Sequence, residues 1–432
     1  MTQAESSIPA QPVVPVERQA ASRTKAIIAC LLGNWFEIFD FAIYGYFALQ
    51  IGRTFFPADD PIASILSSFA TYGVGFLMRP IGGMVLGSYG DRRGRKAALA
   101  LTMALMAVAT GMTGLIPGYS QWGIAAPVLL VICRMLQGFS TGGEWGGAAT
   151  FLVETAPENR RALYGSLQQL SNSLASLSAV GTALLLNAVV PPAALEEWGW
   201  RIPFLVGLAI GPVGYYLRMS VDETVSFKQS EPLRTPLREA LSRHRPELFT
   251  VFGIAVGWTV AGYVFGAFTA SYATQTLKMP ATYGLTALIA GSLVHLTTVP
   301  LIGLQADRFG SRPFLIAAAL GFVLLAWPLF YWVSTHPSLP SLMLMTLCAG
   351  VLSGTFGGAA PSYLCTILPT RVRYVSLSVG YGSAVMVFGG FAPFIATWLV
   401  AYTGSAAAPG AYVVACAAIS LTTLLASPVI RR

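Results

Sequence analysis

Long apolar stretches alternate with short polar ones along almost the whole chain. Twelve of these stretches reach roughly the 20 residues that a helix needs to cross the hydrocarbon core of a bilayer. They occupy about residues 25–50, 62–89, 97–116, 123–151, 162–189, 200–219, 248–276, 283–305, 313–334, 339–367, 373–402 and 410–429. Proline and glycine occur inside several of them, as membrane helices tolerate. The pattern predicts an all-α membrane protein with twelve transmembrane helices.

A short charged segment follows the second apolar stretch and returns half a chain length later. The first copy, GSYGDRRGRK, contains Asp91, Arg92 and Arg95, and the second, GLQADRFGSRP, contains Asp307 and Arg308. The segments GGAATFLVETAPENRR and GGAAPSYLCTILPTRVR also resemble each other, allowing for one extra residue. Parallel repeats of this kind place a substrate site at the midplane between two halves. We therefore expect two pseudo-symmetric six-helix bundles.

The polar segments divide the chain into four parts. Residues 1–22 are rich in Ala, Pro, Gln and Ser and lack the basic-then-apolar order of a signal peptide, so they are predicted to form a disordered cytoplasmic tail. Residues 23–219 and 248–432 are predicted to form the two bundles. Residues 220–247, which are mixed in charge and contain three prolines, are predicted to link the bundles on the cytoplasmic side, with room for a short surface helix.

Composition and charge support this class of protein. The sequence is 55% hydrophobic and only 10% charged, whereas a soluble domain is about 25% charged. Its net charge of +8 does not indicate a nucleic-acid partner, because most Lys and Arg residues fall in loops on one predicted side, with Arg53, Arg201 and Lys278 opposite. This positive-inside distribution predicts a multi-pass protein in a bacterial inner membrane, with both termini cytoplasmic. We expect its partners to be the lipid bilayer and small solutes, and the protein to act as a monomer.

The sequence offers little for enzyme chemistry. The five cysteines are scattered through apolar stretches without metal-ligand spacing, and there are only three histidines. No GxxxxGK[ST] phosphate loop is present, so ATP is not the expected source of energy. We predict no metal and no cofactor. A channel is compatible with the composition, but the two-half repeat favours alternating access.

Five longer motifs identify a family resemblance. They are GNWFEIFDFAIYGYF (33–47), FFPADD (55–60), GFLMRPIGG (75–83), RMLQGFSTGGEWGG (134–147) and EWGWRIPF (197–204). With the charged segments described above, they make the sequence similar to the major facilitator superfamily, and more narrowly to its metabolite:proton symporter family. The resemblance implies the twelve-helix major facilitator fold. It also implies a carrier for a solute such as citrate, tricarballylate, alpha-ketoglutarate, shikimate, an aromatic acid, proline or betaine.

Charged residues inside the predicted spans are the main candidates for function. Glu37 and Asp40 lie near the middle of the first span, and Arg134 lies at a similar depth in the fourth. A charge at that depth costs about 2.5–3.5 kcal/mol and usually marks an ion or substrate pathway. We therefore predict proton coupling at Asp40 or Glu37 together with Arg134, and favour Asp40 because it lies deeper. The alternative is a permanent salt bridge that locks the two helices. The family resemblance also implies a pair between a first-helix carboxylate and the fourth-helix arginine.

Arginine is also the expected ligand for an anionic substrate, because its planar guanidinium binds both oxygens of a carboxylate. Arg134 and Arg79 are the candidates, and for Arg79 the alternatives are snorkelling to the interface or a network with Glu144. Polar and aromatic residues near mid-span complete the predicted substrate site, with hydrogen bonding or packing between helices as their alternative roles. These residues are Tyr44, Gln168, Asn172, Tyr263, His295 and Tyr381.

The loop charges are predicted to form a cytoplasmic gate. A run of charges is by default a solvated surface, but the superfamily resemblance implies a latch at Asp91 that closes this side. The other predicted members, of which Asp307 and Arg308 form the less complete second copy, are Arg92, Arg95, Glu144, Glu154, Arg160, Asp307 and Arg308.

Together these features predict a proton-coupled secondary active symporter that works by alternating access. The expected substrate is an organic anion, a di- or tricarboxylate such as citrate or alpha-ketoglutarate, taken up with protons. The alternatives are proton-coupled uptake of an osmolyte such as proline or betaine, and an efflux carrier.

Overall fold

The structure is a computed structural model that describes residues 16–58, 60–93, 95–142, 144–219, 236–369 and 373–427. Its regular secondary structure in these ranges is helical throughout. The first six long helices are α1 (Val16–Tyr46, continued by Ala48–Phe55), α2 (Pro61–Leu77, continued by Arg79–Arg93), α3 (Arg95–Leu115), α4 (Ala125–Thr141, continued by Glu144–Thr155), α5 (Arg161–Val189) and α6 (Ile202–Met219). The other six are α7 (Arg245–Tyr263, extended by Val264–Phe268, Thr269–Ser271 and Tyr272–Thr276), α8 (Ala281–Phe309), α9 (Arg312–Thr335), α10 (Leu339–Thr366), α11 (Arg373–Ala384, Val385–Gly389 and Ala392–Thr403) and α12 (Ala408–Ala426).

The length and composition of these helices agree with the predicted membrane protein. Ten of the described helices are long and apolar enough to cross a membrane, and Ala100–Leu115 within α3 is a shorter apolar helix. Short helices occupy connections, at Tyr119–Trp122, Pro192–Glu197 and Pro236–Arg243. The last of these lies in the predicted linker 220–247, of which residues 220–235 are outside the described ranges. Helix α1 already begins at Val16, inside the segment 1–22 assigned to a tail.

The two halves of the chain use the same pattern of helix packing. In the first half, α1 packs against α5 and α6, α2 against α4, and α3 against α4 and α6. In the second half, α7 packs against α11 and α12, α8 against α10, and α9 against α10 and α12. Adding six to each number of the first set generates the second. The structure therefore contains the two pseudo-symmetric bundles expected from the sequence repeat.

The contacts between the bundles follow the same symmetry. Helix α5 packs against α8 and α10, and α11 packs correspondingly against α2 and α4. Helix α1 also meets α7, where a Cβ atom on Gly45 would lie only 2.7 Å from the Cβ of Ala267. The interface thus brings α1, α2, α4 and α5 of one bundle against α7, α8, α10 and α11 of the other.

Two names describe the ends of the molecule below. The basic end is where Arg160, Arg308 and Arg373 lie, at the junctions between α4 and α5, α8 and α9, and α10 and α11. The opposite end carries Arg53, at the end of α1, and Arg201, just before α6.

Candidate functional site

Asp40 and Arg134 form an ion pair in the interior of the first bundle. The Arg134 Nη1 atom of α4 lies 3.2 Å from Asp40 Oδ2 of α1, and the two side chains are 0% and 1% exposed. Arg134 Nη1 also donates a 2.6 Å hydrogen bond to Gln137 Oε1, and Gln137 Nε2 donates to Thr110 Oγ1 of α3 at 3.0 Å. Because a buried charge is tolerated only when it is paired and hydrogen-bonded, this network explains how both charges stay inside the bundle.

A second ion pair lies one helical turn earlier on α1. Arg79 Nη2 of α2 is 3.0 Å from Glu37 Oε1, and these side chains are 7% and 5% exposed. Residues three positions apart share a face of a helix, so Glu37 and Asp40 extend from the same side of α1. Arg79 therefore has Glu37 as an ion-pair partner. The sequence suggested substrate binding, snorkelling or a network with Glu144 for Arg79, and it did not suggest this ion pair.

Aromatic rings surround the two guanidinium groups. The Cζ atoms of Arg79 and Arg134 lie 4.9 Å and 4.5 Å from the centre of the Phe41 ring. Arg134 also lies 4.5 Å from the ring centre of Tyr44, and Arg79 lies 4.4 Å from that of Phe76. Such cation–π contacts stabilise a desolvated cation without supplying an anion. Phe41 stands out in retrospect because it follows Asp40 directly in the matched motif.

The second bundle reaches this aromatic layer through α7. The Tyr263 ring lies edge-on to Tyr72 and Phe76 of α2, with ring centres 6.1 Å and 5.4 Å apart. Of the predicted substrate-site residues, Tyr263 is thus near the ion pairs. Tyr44 is fully buried, and its hydroxyl donates to the Ser68 carbonyl oxygen at 3.2 Å.

Several buried atoms of the ion pairs have no hydrogen-bond partner in the described part of the chain. They are Asp40 Oδ1, Arg79 Nε, and Arg134 Nε and Nη2. An unsatisfied buried polar atom costs about 1–3 kcal/mol, so such a concentration is unexpected in a purely structural network. Guanidinium N–H groups are the donors that hold a carboxylate through two parallel hydrogen bonds. Chemically, the arrangement is suited to bind an anion.

The polar residues of α5 connect helices. Asn34 Nδ2 of α1 donates to Asn172 Oδ1 and, at 3.3 Å, to the Gln168 carbonyl oxygen. Gln168 Nε2 donates to the Trp145 carbonyl oxygen at 3.2 Å. Across the bundle interface, Ser173 Oγ and His295 Nδ1 of α8 lie 2.7 Å apart. These side chains form hydrogen bonds between helices, which is one of the roles that the sequence left open for them.

Gln168 and its neighbour Gln169 are nevertheless not fully satisfied. Gln168 Oε1 and Gln169 Nε2 are buried without a hydrogen-bond partner among the described residues. A second set of amide groups is therefore available beside the bundle interface, in addition to the guanidinium groups.

An aromatic stack joins the two bundles where α4 meets α7 and α11. Trp145 of α4 stacks on Tyr381 of α11, with ring centres 3.8 Å apart and an 11° angle between the planes. Trp258 of α7 packs against both rings, at 6.1 Å and 5.7 Å. Tyr381 was predicted to contact substrate, and the structure places it in this stack. Trp145 was not predicted, although it lies in the matched GGEWGG motif.

At the basic end, two contacts join the bundles through charge. Arg373 Nη1 of α11 lies 2.8 Å from Glu154 Oε1 of α4. Asp307, near the end of α8, accepts hydrogen bonds from the backbone N–H groups of Ala162 and Leu163 at 2.7 Å and 3.0 Å. These groups belong to the first turn of α5, where a carboxylate also interacts favourably with the helix dipole. The charged segment that looked less complete in sequence thus makes a well-defined contact.

The other predicted gate residues differ in their position. The side chains of Asp91, Arg92 and Arg95 lie outside the described residues. Glu144 is buried on α4. Arg160 and Arg308 are exposed and form no ion pair with any residue that the structure describes. Arg160 lies between α4 and α5, and Arg308 is the residue before the last one of α8. Arg373, which was not among the predicted gate residues, is the ion-pair partner of Glu154.

Arg201 illustrates a motif residue with a structural role. Its Nη1 atom donates to the carbonyl oxygens of Gly114 at 3.0 Å and Ile116, which α3 leaves unsatisfied at its C-terminal end. The guanidinium Cζ also lies 4.5 Å from the Trp200 ring centre. These contacts join the end of α3 to the start of α6 at the opposite end of the first bundle.

A twelve-helix fold built from two related bundles, with ion pairs buried inside, is that of a secondary transporter. The family model for sugar (and other) transporters matches residues 25–232. The citrate-proton symporter of Klebsiella pneumoniae is 37% identical over 416 residues, covering 95% of this chain and 94% of the relative. The proline/betaine transporter of Escherichia coli is 34% identical over 412 residues, covering 92% and 82%. This chain belongs to the metabolite:proton symporter family of the major facilitator superfamily.

The fold itself is shared with more distant transporters. The xylose transporter XylE of Escherichia coli, solved in a partially occluded inward-open conformation, has a TM-score of 0.75 with 16% identity, covering 94% of this chain and 97% of XylE. The family model and the curated relatives, together with the membrane-spanning helices, make the protein a multi-pass transporter and not an enzyme. Its bacterial relatives place it in the inner membrane.

Proposed function

We propose that this protein is a proton-coupled symporter that imports an organic anion, a di- or tricarboxylate, by alternating access. The observation that carries the proposal is the buried Asp40–Arg134 pair with its unsatisfied guanidinium N–H groups. An intramembrane ion pair of this kind usually lies on an ion or substrate pathway. The citrate-proton symporter among the relatives supports an organic anion as the substrate.

The proposed cycle begins with a proton that enters from outside and neutralises Asp40. Arg134 then loses its anionic partner, and a substrate carboxylate takes the place of the Asp40 carboxylate. Glu37 is the alternative proton acceptor, and Arg79 is the second proposed substrate ligand. Gln168, Asn172, Tyr44, Tyr263, His295 and Tyr381 form the remainder of the proposed substrate-binding region. Rocking of the bundles exposes the site to the other side, where Asp40 releases its proton.

The basic end is proposed to face the cytoplasm, together with both chain termini. The Glu154–Arg373 and Asp307–α5 contacts then close the cytoplasmic side and break when the substrate is released. Helix α2 contacts the first part of α11, so Asp91, with Arg92 and Arg95, is proposed to play the equivalent role for α11. The bundles correspond to 23–219 and 248–432, and the protein is proposed to act as a monomer in the lipid bilayer.

A second candidate function is proton-coupled uptake of an osmolyte such as proline or betaine. The proline/betaine transporters among the relatives favour it. A zwitterion would place its carboxylate on Arg134 and its cationic group against the aromatic layer, which offers several ring faces. The same proton-coupling pair would serve this substrate.

Uptake into proteoliposomes tests both candidates. Purified protein is reconstituted with an imposed inward proton gradient, and uptake of labelled citrate, alpha-ketoglutarate, shikimate, phthalate and betaine is compared. We expect gradient-driven uptake of a di- or tricarboxylate and none of betaine. Asp40→Asn should abolish uphill uptake while sparing exchange of substrate across the membrane. Betaine uptake without acid uptake would select the second candidate, and intact uphill uptake by Asp40→Asn would contradict the role of Asp40.

A further inference from the structure

The two buried ion pairs have the same construction. Each joins a carboxylate of α1 to a guanidinium group from another helix of the same bundle, with distances of 3.0 Å for Glu37–Arg79 and 3.2 Å for Asp40–Arg134. Both guanidinium groups contact the same Phe41 ring. The Cζ atoms of Arg79 and Arg134 lie 4.9 Å and 4.5 Å from its centre, so the two groups are close together. Each guanidinium also retains at least one unpartnered buried N–H group among the described residues.

From this duplication, and resting on the proposed symport function, we infer that both ion pairs open in every cycle. The substrate is then a dicarboxylate dianion, and it enters with two protons in an electroneutral step. One proton forms an O–H bond with the Glu37 carboxylate and the other with that of Asp40. The two carboxylates of the substrate replace them on Arg79 and Arg134. On the inner side the O–H bonds break, both protons leave, and the original ion pairs form again.

Charge balance supports two protons and not one. A dianion that entered with a single proton would leave three carboxylates facing two guanidinium groups, with one negative charge uncompensated among buried side chains. Removing such a charge from water is unfavourable. With two protons, two carboxylates face two guanidinium groups before, during and after binding. A monocarboxylate would open only one pair and needs only one proton.

The other titratable groups that face the pairs do not change this count. Among the described residues, these groups include the phenols of Tyr44, Tyr72, Tyr263 and Tyr381 and the thiol of Cys133. The side chains of tyrosine and cysteine are neutral near neutral pH in water. Glu37 and Asp40 are therefore the groups of these pairs that gain and lose charge.

In proteoliposomes, the equilibrium accumulation of alpha-ketoglutarate, a dicarboxylate of the uptake panel, measures the number of protons that enter with each substrate. The membrane potential is clamped with potassium and valinomycin, and both compartments are alkaline enough to ionise both carboxylates. For two protons, the accumulation ratio should change about 100-fold per pH unit of gradient and be unchanged by the potential. For one proton, it should change about tenfold per pH unit and fall about tenfold for every ~59 mV of inside-negative potential.

The variant Glu37→Gln imitates a permanently protonated Glu37. It should keep the positive charge on Arg79 available for the substrate while removing one proton from the cycle. The accumulation ratio reached by this variant should therefore change only about tenfold per pH unit of gradient. It should also become sensitive to the membrane potential. Glu196→Gln is the matched control, because it breaks the exposed Arg53–Glu196 ion pair of 2.6 Å at the opposite end and should behave as the wild type does.

The outcomes separate the two proposals. One-proton, potential-sensitive accumulation of alpha-ketoglutarate by the wild type would overturn the inference while leaving proton symport intact. Absence of proton-driven uptake for every acid of the panel would overturn the proposed function itself. If Glu37→Gln fails to fold, the wild-type stoichiometry decides alone. A folded Glu37→Gln protein that still couples two protons would exclude Glu37 as the second acceptor and would also overturn the inference.

Discussion

The energetic coupling between Asp40 and Arg134 provides a direct test of the site. Both side chains are almost completely buried and lie 3.2 Å apart. Removing one member leaves the other charge buried without its partner, which typically costs about 3–5 kcal/mol. We therefore expect Asp40→Asn and Arg134→Gln each to be strongly destabilising. The double variant should be less destabilised than the sum of the two, because it leaves neither charge behind.

The assay is a double-mutant cycle on the free energy of unfolding, measured in mixed micelles where unfolding is reversible. Residues in contact show interaction energies of about 0.5–3 kcal/mol, and we expect a value at the upper end of this range for Asp40 and Arg134. Arg53 and Glu196 form the matched control cycle, because their 2.6 Å pair is about half exposed and should contribute only about 0–1 kcal/mol. Additive effects at Asp40 and Arg134, within about 0.5 kcal/mol, would refute a buried ion pair and with it the coupling mechanism.

Three further predictions concern the ends of the bundle interface. Trp145→Ala removes a stacked aromatic pair worth about 0.5–1.5 kcal/mol beyond area burial, so it should favour opening at the basic end. Chemical modification of a cysteine introduced at that end should then become faster. An unchanged modification rate would exclude a gating role for the stack. Asp307→Asn removes a carboxylate from the α5 N-terminus, where it contributes about 0.3–2 kcal/mol. The same labelling assay should show more frequent opening of the basic end. Cysteine protection equal to that of the wild type would contradict a latch at the Asp307–α5 contact. Arg201→Lys loses the guanidinium hydrogen bonds to the carbonyl oxygens at the end of α3 and should lower the thermal unfolding temperature. The dependence of uptake on the proton gradient should stay unchanged. A changed proton dependence would show that Arg201 has more than a structural role.

The fold was largely predictable because the bilayer imposes a simple length requirement. A helix must satisfy its backbone hydrogen bonds internally and present about 20 apolar residues, and both conditions are visible in the one-dimensional pattern. The charged segments at Asp91 and Asp307 likewise interrupt the apolar pattern, and they fall at the ends of α2 and α8. The residues of the ion pairs were recognisable because a charge inside an apolar stretch is costly and therefore conspicuous.

The sequence by itself determined the class of the protein, its helices, its internal repeat and the four charged residues of the two ion pairs. Only the tertiary structure decided that Arg79 meets Glu37, that Tyr381 stacks on Trp145 and that Asp307 lies at the start of α5. Spacing along one helix specifies which side chains share a face, as Glu37 and Asp40 do. Which faces of different helices meet depends on how closely their backbones approach, for example where a Cβ on Gly138 would lie 1.6 Å from the Gly75 carbonyl oxygen. That contact brings α2 and α4 together and so sets the positions of both arginines, and it has no signature in local sequence.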